Sequence, residues 1–177
     1  MRKAISNQIS LLFMDTNKYH TQIINLVKSL KNHNICFVSL NRTSASLFED
    51  LRKKKINCEH IFVIDGITKT FQNPAPQKNV HYLSGPVALT EISLTVRNCL
   101  KDRCCEYVIF DSISTLLVYE PTGGGVVKFI TSLMNNIKTV KANAIFTALY
   151  DDKDKMLIQE AAALADVVEN FGKTRLI

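Results

Sequence analysis

Residues 107–114, which read YVIFDSIS, decide the fold class of this chain. Four apolar residues are followed directly by Asp111 and Ser112. An uninterrupted apolar run of this length is typical of a strand that is buried on both faces, as in a parallel sheet. Such a strand predicts helices on both sides of the sheet. The acidic residue then lies at the carboxyl end of the strand, where open α/β sheets bind their ligands.

Other apolar runs of strand length repeat this pattern along the chain. They lie at residues 9–14 (ISLLFM), 35–40 (ICFVSL), 61–64 (IFVI) and 144–149 (AIFTAL). Amphipathic segments separate them, and apolar residues at helical spacing predict helices over residues 89–101, 126–141 and 155–164. The second of these is expected to bury Phe129, Ile130, Leu133, Ile137 and Val140. The alternation predicts a three-layer α/β/α fold with a mainly parallel central sheet, and residues 166–177 predict a C-terminal hairpin.

Length and composition set the class of protein. The chain has 177 residues, of which 46% are hydrophobic and 21% charged, so we expect one globular domain over residues 1–177. No apolar run approaches the roughly 20 residues of a membrane span. The amino-terminal residues lack the long apolar stretch of a secretory signal. We therefore expect a cytoplasmic protein with no membrane part.

The charge and the cysteines leave alternatives open. A net charge of +6 makes nucleic acid a possible partner. The densest basic cluster, residues 52–55 (RKKK), ends a predicted helix, where cations also complement the helix dipole. No aromatic residues interleave it, as stacking on single strands would require. The five cysteines form no C-x-x-C pair and are expected to be reduced and structural, with the vicinal pair Cys104 and Cys105 as the redox alternative.

The run that ends at Asp111 has the form of a Walker B strand, whose aspartate holds the magnesium ion of a bound nucleotide. The chain resembles the KaiC-like branch of the RecA-type ATPases over nearly its full length. The segments that carry the resemblance are residues 34–40 (NICFVSL), 63–66 (VIDG), 111–116 (DSISTL) and 164–168 (LADVV). The resemblance implies a RecA-like P-loop NTPase-type fold, a role in signalling, side-by-side assembly into a homo-oligomer, and a prokaryotic, often archaeal, source.

The phosphate loop of that family is where this chain departs from it. The family pattern is G-x-x-x-x-G-K-[ST], and residues 14–21 read MDTNKYHT, so only Thr21 matches. Met14 and Tyr19 replace the glycines that let backbone N–H groups curl around phosphates. His20 replaces the lysine that reaches the phosphates. We therefore predict a degenerate Walker A segment.

A second departure follows the second predicted strand. The family usually has an acidic pair there, one member of which activates the attacking water, and this chain has Asn41 and Arg42. An asparagine side chain cannot act as a general base. With both losses, we predict a non-catalytic domain, a pseudo-ATPase without a cofactor. We predict a regulatory or protein-interaction role in signalling. We also expect the domain to bind a protein partner or to form a homo-oligomer.

The sequence also fits two rival functions. The first is an ATPase that binds ATP and magnesium at a non-standard site made of Lys18, Thr21, Asp111 and Ser112, which are otherwise the vestigial nucleotide site. In the pseudo-ATPase, Thr21 and Ser112 are instead expected to donate hydrogen bonds to Asp111. The second rival is a nucleic-acid-binding module that uses the basic faces. For protein interaction, the predicted surfaces are residues 167–177 and the basic cluster.

Overall fold

The computed structural model describes residues 8–119 and 124–171, and a sheet of seven strands runs through this part of the chain. The strands are β1 (Ile9–Met14), β2 (Ile35–Ser39), β3 (Ile61–Asp65), β4 (Val80–Tyr82), β5 (Tyr107–Asp111), β6 (Asn143–Leu149) and β7 (Val167–Asn170). The helices are α1 (Tyr19–Ser29), α2 (Ser44–Lys53), α3 (Leu89–Asp102), α4 (Ile113–Tyr119), α5 (Gly124–Thr139) and α6 (Met156–Leu164). None of the helices in the described ranges has the length and hydropathy of a membrane span.

The strand order is β4-β3-β2-β5-β6-β1-β7, and every pair of neighbouring strands is parallel. The first strand therefore lies between β6 and β7, far from β2. After β1 the chain crosses over β6 and β5 before it enters the sheet again. A crossover of this kind leaves a crevice at the carboxyl edge of the strands, which is where such sheets bind ligands.

Helices cover both faces of the sheet, as the continuous apolar strands predict. Apolar side chains of α1 and α2 pack on one face, with Phe37 of β2 at 0% exposure. Apolar side chains of α3, α4, α5 and α6 pack on the other face, with Phe110 of β5 and Phe146 of β6 at 0% exposure. The predicted three-layer α/β/α architecture is confirmed.

The structure also differs from the sequence-based expectation. Strand β4 is three residues long and carries too little apolar pattern to be recognised, and α4 was not predicted. Val140 was expected to be buried, which is wrong: α5 ends at Thr139, and the Val140 side chain is 54% exposed. The first arm of the predicted hairpin is β7, which pairs in parallel with β1, and the second arm lies outside the described residues.

A buried carboxylate holds α2 in place. Asp65, at the end of β3, is 0% exposed. It accepts hydrogen bonds from the backbone N–H groups of Ser44 (2.7 Å), Ile67 (2.9 Å) and Thr68 (2.9 Å), and from the Thr68 hydroxyl (2.6 Å). Burial raises the pKa of the Asp65 carboxyl, but these hydrogen bonds outweigh it and the pKa is lowered. The amino end of α2 therefore depends on an ionised Asp65.

Two buried thiols meet at the opposite edge of the sheet. The Sγ atoms of Cys99, in the last turn of α3, and Cys105, just before β5, lie 2.7 Å apart. Cys104, the neighbour that the vicinal pattern singled out, is exposed. The hydrogen bond to Cys99 and burial both raise the pKa of the Cys105 thiol. Cys105 therefore pairs with a residue of the preceding helix.

Candidate functional site

The candidate site lies at the carboxyl ends of β1, β2, β5 and β6, where the sequence predicts ligand binding. Asp111, the last residue of β5, is completely buried. Its Oδ1 accepts a hydrogen bond from the Tyr19 hydroxyl and one of 3.2 Å from Asn41 Nδ2. Its Oδ2 is buried and has no hydrogen-bond partner among the described residues. The carboxylate is therefore satisfied on one oxygen only.

Tyr19 reaches Asp111 from the other side of a strand. It is the first residue of α1, and β6 lies between β1 and β5 in the sheet. The hydroxyl oxygen of Tyr19 is 3.0 Å from Oγ1 of Thr147, which belongs to β6. Thr147 Oγ1 in turn donates to the Phe110 carbonyl oxygen at 3.1 Å. The tyrosine ring thus fills the space between the loop after β1 and the end of β5.

The protonation of this pair follows from its burial. Burial raises the pKa of the Asp111 carboxyl to about 6, although the hydrogen bonds from Tyr19 and Asn41 and the charge of Arg42 lower it. Burial, together with the Asp111 charge, also raises the pKa of Tyr19 well above its usual value. At neutral pH a neutral tyrosine hydroxyl therefore donates to an ionised carboxylate.

The loop after β1 uses its own side chains to satisfy its backbone. The Asp15 N–H donates to Gln22 Oε1 at 2.8 Å. The Asn17 N–H donates to the Asp15 carboxylate at 2.9 Å, and the Lys18 N–H donates to the Asp15 carbonyl oxygen at 3.0 Å. Thr16 Oγ1 donates to Asp151 Oδ2 at 2.6 Å. A carboxylate of the chain is therefore the anion that this loop binds.

His20, which takes the place of the family's lysine, is bound to α2. Its Nε2 lies 2.9 Å from Asp50 Oδ2, and its Nδ1 lies 3.2 Å from Arg42 Nη1. Arg42 Nη2 also binds Asp50 Oδ2, at 2.5 Å. The hydrogen bond from Arg42 and the neighbouring positive charges lower the pKa of the Asp50 carboxyl. The cluster joins the start of α1 to α2 and to the loop before it.

The residues predicted for the vestigial nucleotide site are not all brought together. Lys18 and Thr21 are both exposed, on the loop and on α1. Ser112 is buried, and its hydroxyl lies 3.2 Å from that of Thr115. The prediction that Thr21 and Ser112 donate to Asp111 is wrong, because the donors are Tyr19 and Asn41.

Both donors become recognisable only once the strand order is known. Tyr19 and Asn41 were noted only as replacements for family residues. Strands β2 and β5 pair with Ser39 opposite Asp111, so a residue just after β2 is a near neighbour of that carboxylate. A tyrosine early in the helix after β1 has the reach to cross one strand. No group of three or more His, Cys, Asp or Glu side chains that could hold a metal ion occurs in residues 8–119 and 124–171.

Comparison with known proteins supports the fold alone. No protein-family model matches the chain, and no curated protein matches its sequence. Among solved structures, it is similar to the crystal structure of a KaiC-like protein from the hyperthermophilic archaeon Pyrococcus horikoshii, with a TM-score of 0.66. The likeness covers 97% of this chain and 75% of the other chain, at 12% sequence identity. The chain therefore has the RecA-like α/β fold of a KaiC-like protein.

Proposed function

We propose that this chain is a non-catalytic RecA-type domain, a pseudo-ATPase that acts by protein interaction in a regulatory or signalling role. The observation that carries the proposal is the hydrogen bond from Tyr19 to Asp111. In the RecA-type ATPases that the chain resembles, the aspartate at this position holds the magnesium ion of a bound nucleotide. Here one carboxylate oxygen is occupied by a tyrosine that reaches across β6.

The residues at this edge do not fit a magnesium nucleotide. The tyrosine ring takes the space between the loop and the carboxylate, and Asp15 places its own negative charge on the loop amide of Asn17. His20 is engaged with Asp50 and Arg42, and it carries no ammonium group to reach a phosphate. Each contact replaces an interaction that a nucleotide would need.

The preserved scaffold supports a role in binding. Polar changes are concentrated in the loops after β1 and β2, while strands such as β2 stay buried along their whole length. Loss of function by random change would also put unpaired polar groups into the strands, at a large cost in stability. A fold that persists without the residues for nucleotide binding and hydrolysis is best explained by a surface that another protein recognises.

The experiment for the nucleotide is a thermal and calorimetric titration with ATP and magnesium. We expect no shift in the melting temperature of the wild-type protein at millimolar nucleotide. A ligand present at a hundred times its dissociation constant would stabilise the fold by about 2.7 kcal/mol, which such a titration detects. Lys18→Ala is the informative variant, and Lys31→Ala, which removes another exposed lysine, is the matched control.

The ATPase alternative makes the opposite prediction. A saturable shift, with phosphate release that disappears in Lys18→Ala and persists in Lys31→Ala, would overturn the pseudo-ATPase. The observation that supports this alternative is that Oδ2 of Asp111 has no partner among the described residues and could bind a cation. A magnesium ion bound there would have to displace Tyr19 from the neighbouring oxygen, so Tyr19→Phe would strengthen nucleotide binding in that case.

The surface for self-association is strand β7. Within residues 8–119 and 124–171 it pairs only with β1 and forms the edge of the sheet. Val168, on this strand, is 44% exposed. Open edges tend to pair with another chain. Light scattering at several concentrations tests this proposal: we expect assembly that Val168→Lys weakens, and a strictly monomeric protein would contradict it.

The basic cluster at the end of α2 is less available than its charge suggests. The guanidinium of Arg52 lies 5.8 Å from the ring centre of Phe48, and Lys53 pairs with Glu49 at 2.7 Å. Two of its four cations are thus engaged within their own helix. Nucleic-acid binding remains the alternative for this face, and the affinity for DNA or RNA measured over a range of salt concentrations tests it.

A further inference from the structure

A groove of about 730 Å³ opens between α3 and α5, at the edge of the sheet opposite Asp111. It extends from Ser93 to Lys101 along α3 and reaches Asn143 at the start of β6. Strands β5 and β6 begin beside it, whereas the candidate site lies where they end. The groove is therefore separate from every residue that the proposed function uses.

The floor of the groove is apolar. It is lined by the partly buried Leu100 and Ala142 and, beneath them in the core, by Val96, Leu133 and Ile137, each at most 2% exposed to solvent. Val140 stands at the rim with 54% of its surface exposed. This is the valine that helical spacing predicted to be buried. An apolar floor with an exposed apolar rim lowers its free energy when an apolar ligand covers it.

The rim of the groove is positively charged. Arg97 and Lys101 are one turn apart on α3, Lys141 follows α5, and all three are exposed. Among the described residues, none of these three side chains has an ion-pair or hydrogen-bond partner. The acidic residue in the lining, Glu106, is already engaged: it lies 3.0 Å from His33 Nδ1 and accepts from the Asn34 N–H at 3.0 Å.

We infer that this groove binds a long-chain carboxylate, with its hydrocarbon chain on the apolar floor and its carboxylate among Arg97, Lys101 and Lys141. The volume lies within the roughly 300–1,000 Å³ of pockets that bind small molecules, which are mostly apolar and carry a few polar groups that orient the ligand. Arginine in particular binds carboxylates through two parallel hydrogen bonds. A nucleic acid would match the charge but would leave the apolar floor uncovered.

The experiment is a calorimetric titration of the full chain with decanoate, below its micelle concentration and at low salt, since exposed charges are screened by salt. Decanol and decylammonium serve as ligands with the same chain and a neutral or positive head. We expect saturable binding of decanoate at one site, weaker binding of decanol and no binding of decylammonium. This order separates the head group's contribution from that of the chain.

Arg97, Lys101 and Val140 are exposed, so variants at these three positions should leave the fold intact. Reversing the charge in Arg97→Glu together with Lys101→Glu should weaken decanoate binding about tenfold or more, as expected for the loss of charge-assisted hydrogen bonds. Val140→Ser should weaken it several-fold, because it removes apolar surface from the rim. Lys31→Glu, an exposed reversal on the other face of the sheet, is the matched control and should change nothing.

Three results would overturn the inference. They are equal affinity for decanoate and decylammonium, an affinity that the double reversal leaves unchanged, and binding of an acidic amphipathic peptide without binding of decanoate, which would assign the groove to a protein helix. The inference stands apart from the pseudo-ATPase proposal. Nucleotide binding would contradict the pseudo-ATPase proposal and would leave the groove inference unaffected. The affinity for decanoate should be the same in the wild type and in Tyr19→Phe.

Discussion

The hydroxyl of Tyr19 donates a hydrogen bond to Oδ1 of Asp111, and this contact joins the start of α1 to the end of β5 across an intervening strand. The carboxylate is buried on all sides, so the tyrosine takes the role that water has for an exposed aspartate. The second donor, Asn41, comes from the loop after β2. Hydrogen bonds to this one carboxylate thus join the start of α1 and the loop after β2 to the end of β5.

Replacing Tyr19 with phenylalanine removes the hydroxyl and keeps the ring. Because a hydrogen bond to an ionised buried group contributes about 1.5–3 kcal/mol, we expect the free energy of unfolding at pH 8 to fall by about that amount. At pH 5 the carboxyl is largely protonated, and the loss should be smaller. Urea unfolding at the two pH values measures the difference. An equal loss at both would show that the hydroxyl does not act through the Asp111 charge.

The pH dependence of stability should carry a signature of Asp111. Its pKa is about 6 in the folded chain, raised from 3.8, so the folded state binds more protons than the unfolded state between these values. The contribution is fully present below about pH 4 and is lost as the pH rises through 6. A shift of about two units corresponds to about 3 kcal/mol.

Asp111→Asn removes this titration and supplies the comparison. The free energies of unfolding of the variant and the wild type, measured from pH 4 to pH 7.5, should diverge in favour of the variant as the pH rises. Parallel curves would mean that Asp111 keeps an ordinary pKa in the folded protein.

Asp65 should show the opposite trend with pH. Its pKa is lowered, so its stabilising contribution is present above the unfolded pKa of about 3.8 and is lost as the pH falls through the folded value. Asp65→Ala leaves three backbone N–H groups without their acceptor and should cost about 3 kcal/mol or more at pH 7. Thr68→Val removes one donor only and is the control for a smaller loss. Chemical denaturation measures both, and a cost below that of Thr68→Val would contradict this role.

The thiols should differ sharply in reactivity. Cys104 is exposed, whereas Cys99 and Cys105 are buried, and burial and their mutual contact raise the pKa of Cys105. Because the thiolate is the reactive form, iodoacetamide at pH 7.5 should label Cys104 first and leave the buried pair unmodified until the chain unfolds. Mass spectrometry of peptides follows the order. Cys104→Ser is the control, and rapid labelling of Cys105 in it would contradict the buried contact.

Periodicity predicted most of the scaffold and little of the site. The strands β1, β2, β3, β5 and β6 were identifiable because each is a mainly apolar run of strand length, a pattern that favours a buried strand. Strand β4 was missed because Val80–Tyr82 depends on its neighbour β3 for its pairing, and three residues carry no periodicity of their own. Val140 was misplaced because helical spacing does not say where a helix ends.

The partners of Asp111 could not be predicted from local pattern. Its position at a strand end was identifiable, but its donors come from residues about 70 and 92 positions earlier in the chain. Choosing among Tyr19, Thr21, Asn41 and Ser112 needs the strand order, since that order decides which loops adjoin β5. The order is a property of the whole sheet, and strand patterns alone leave it open.

The place of β1 in the sheet sets the order in which the chain can complete its fold during synthesis. Ile9 pairs with Ala144 and Met14 with Leu149, so β1, the earliest of the described strands to be synthesised, is among the last of them to be paired. Strands β2, β3 and β4 can pair with one another as they emerge, since they are neighbours in sequence and in the sheet. Contacts between distant parts of a chain form slowly. The backbone N–H and C=O groups of β1 therefore stay unpaired until β6 has been synthesised. A nascent chain arrested before β6 would expose the apolar β1 segment to chaperones.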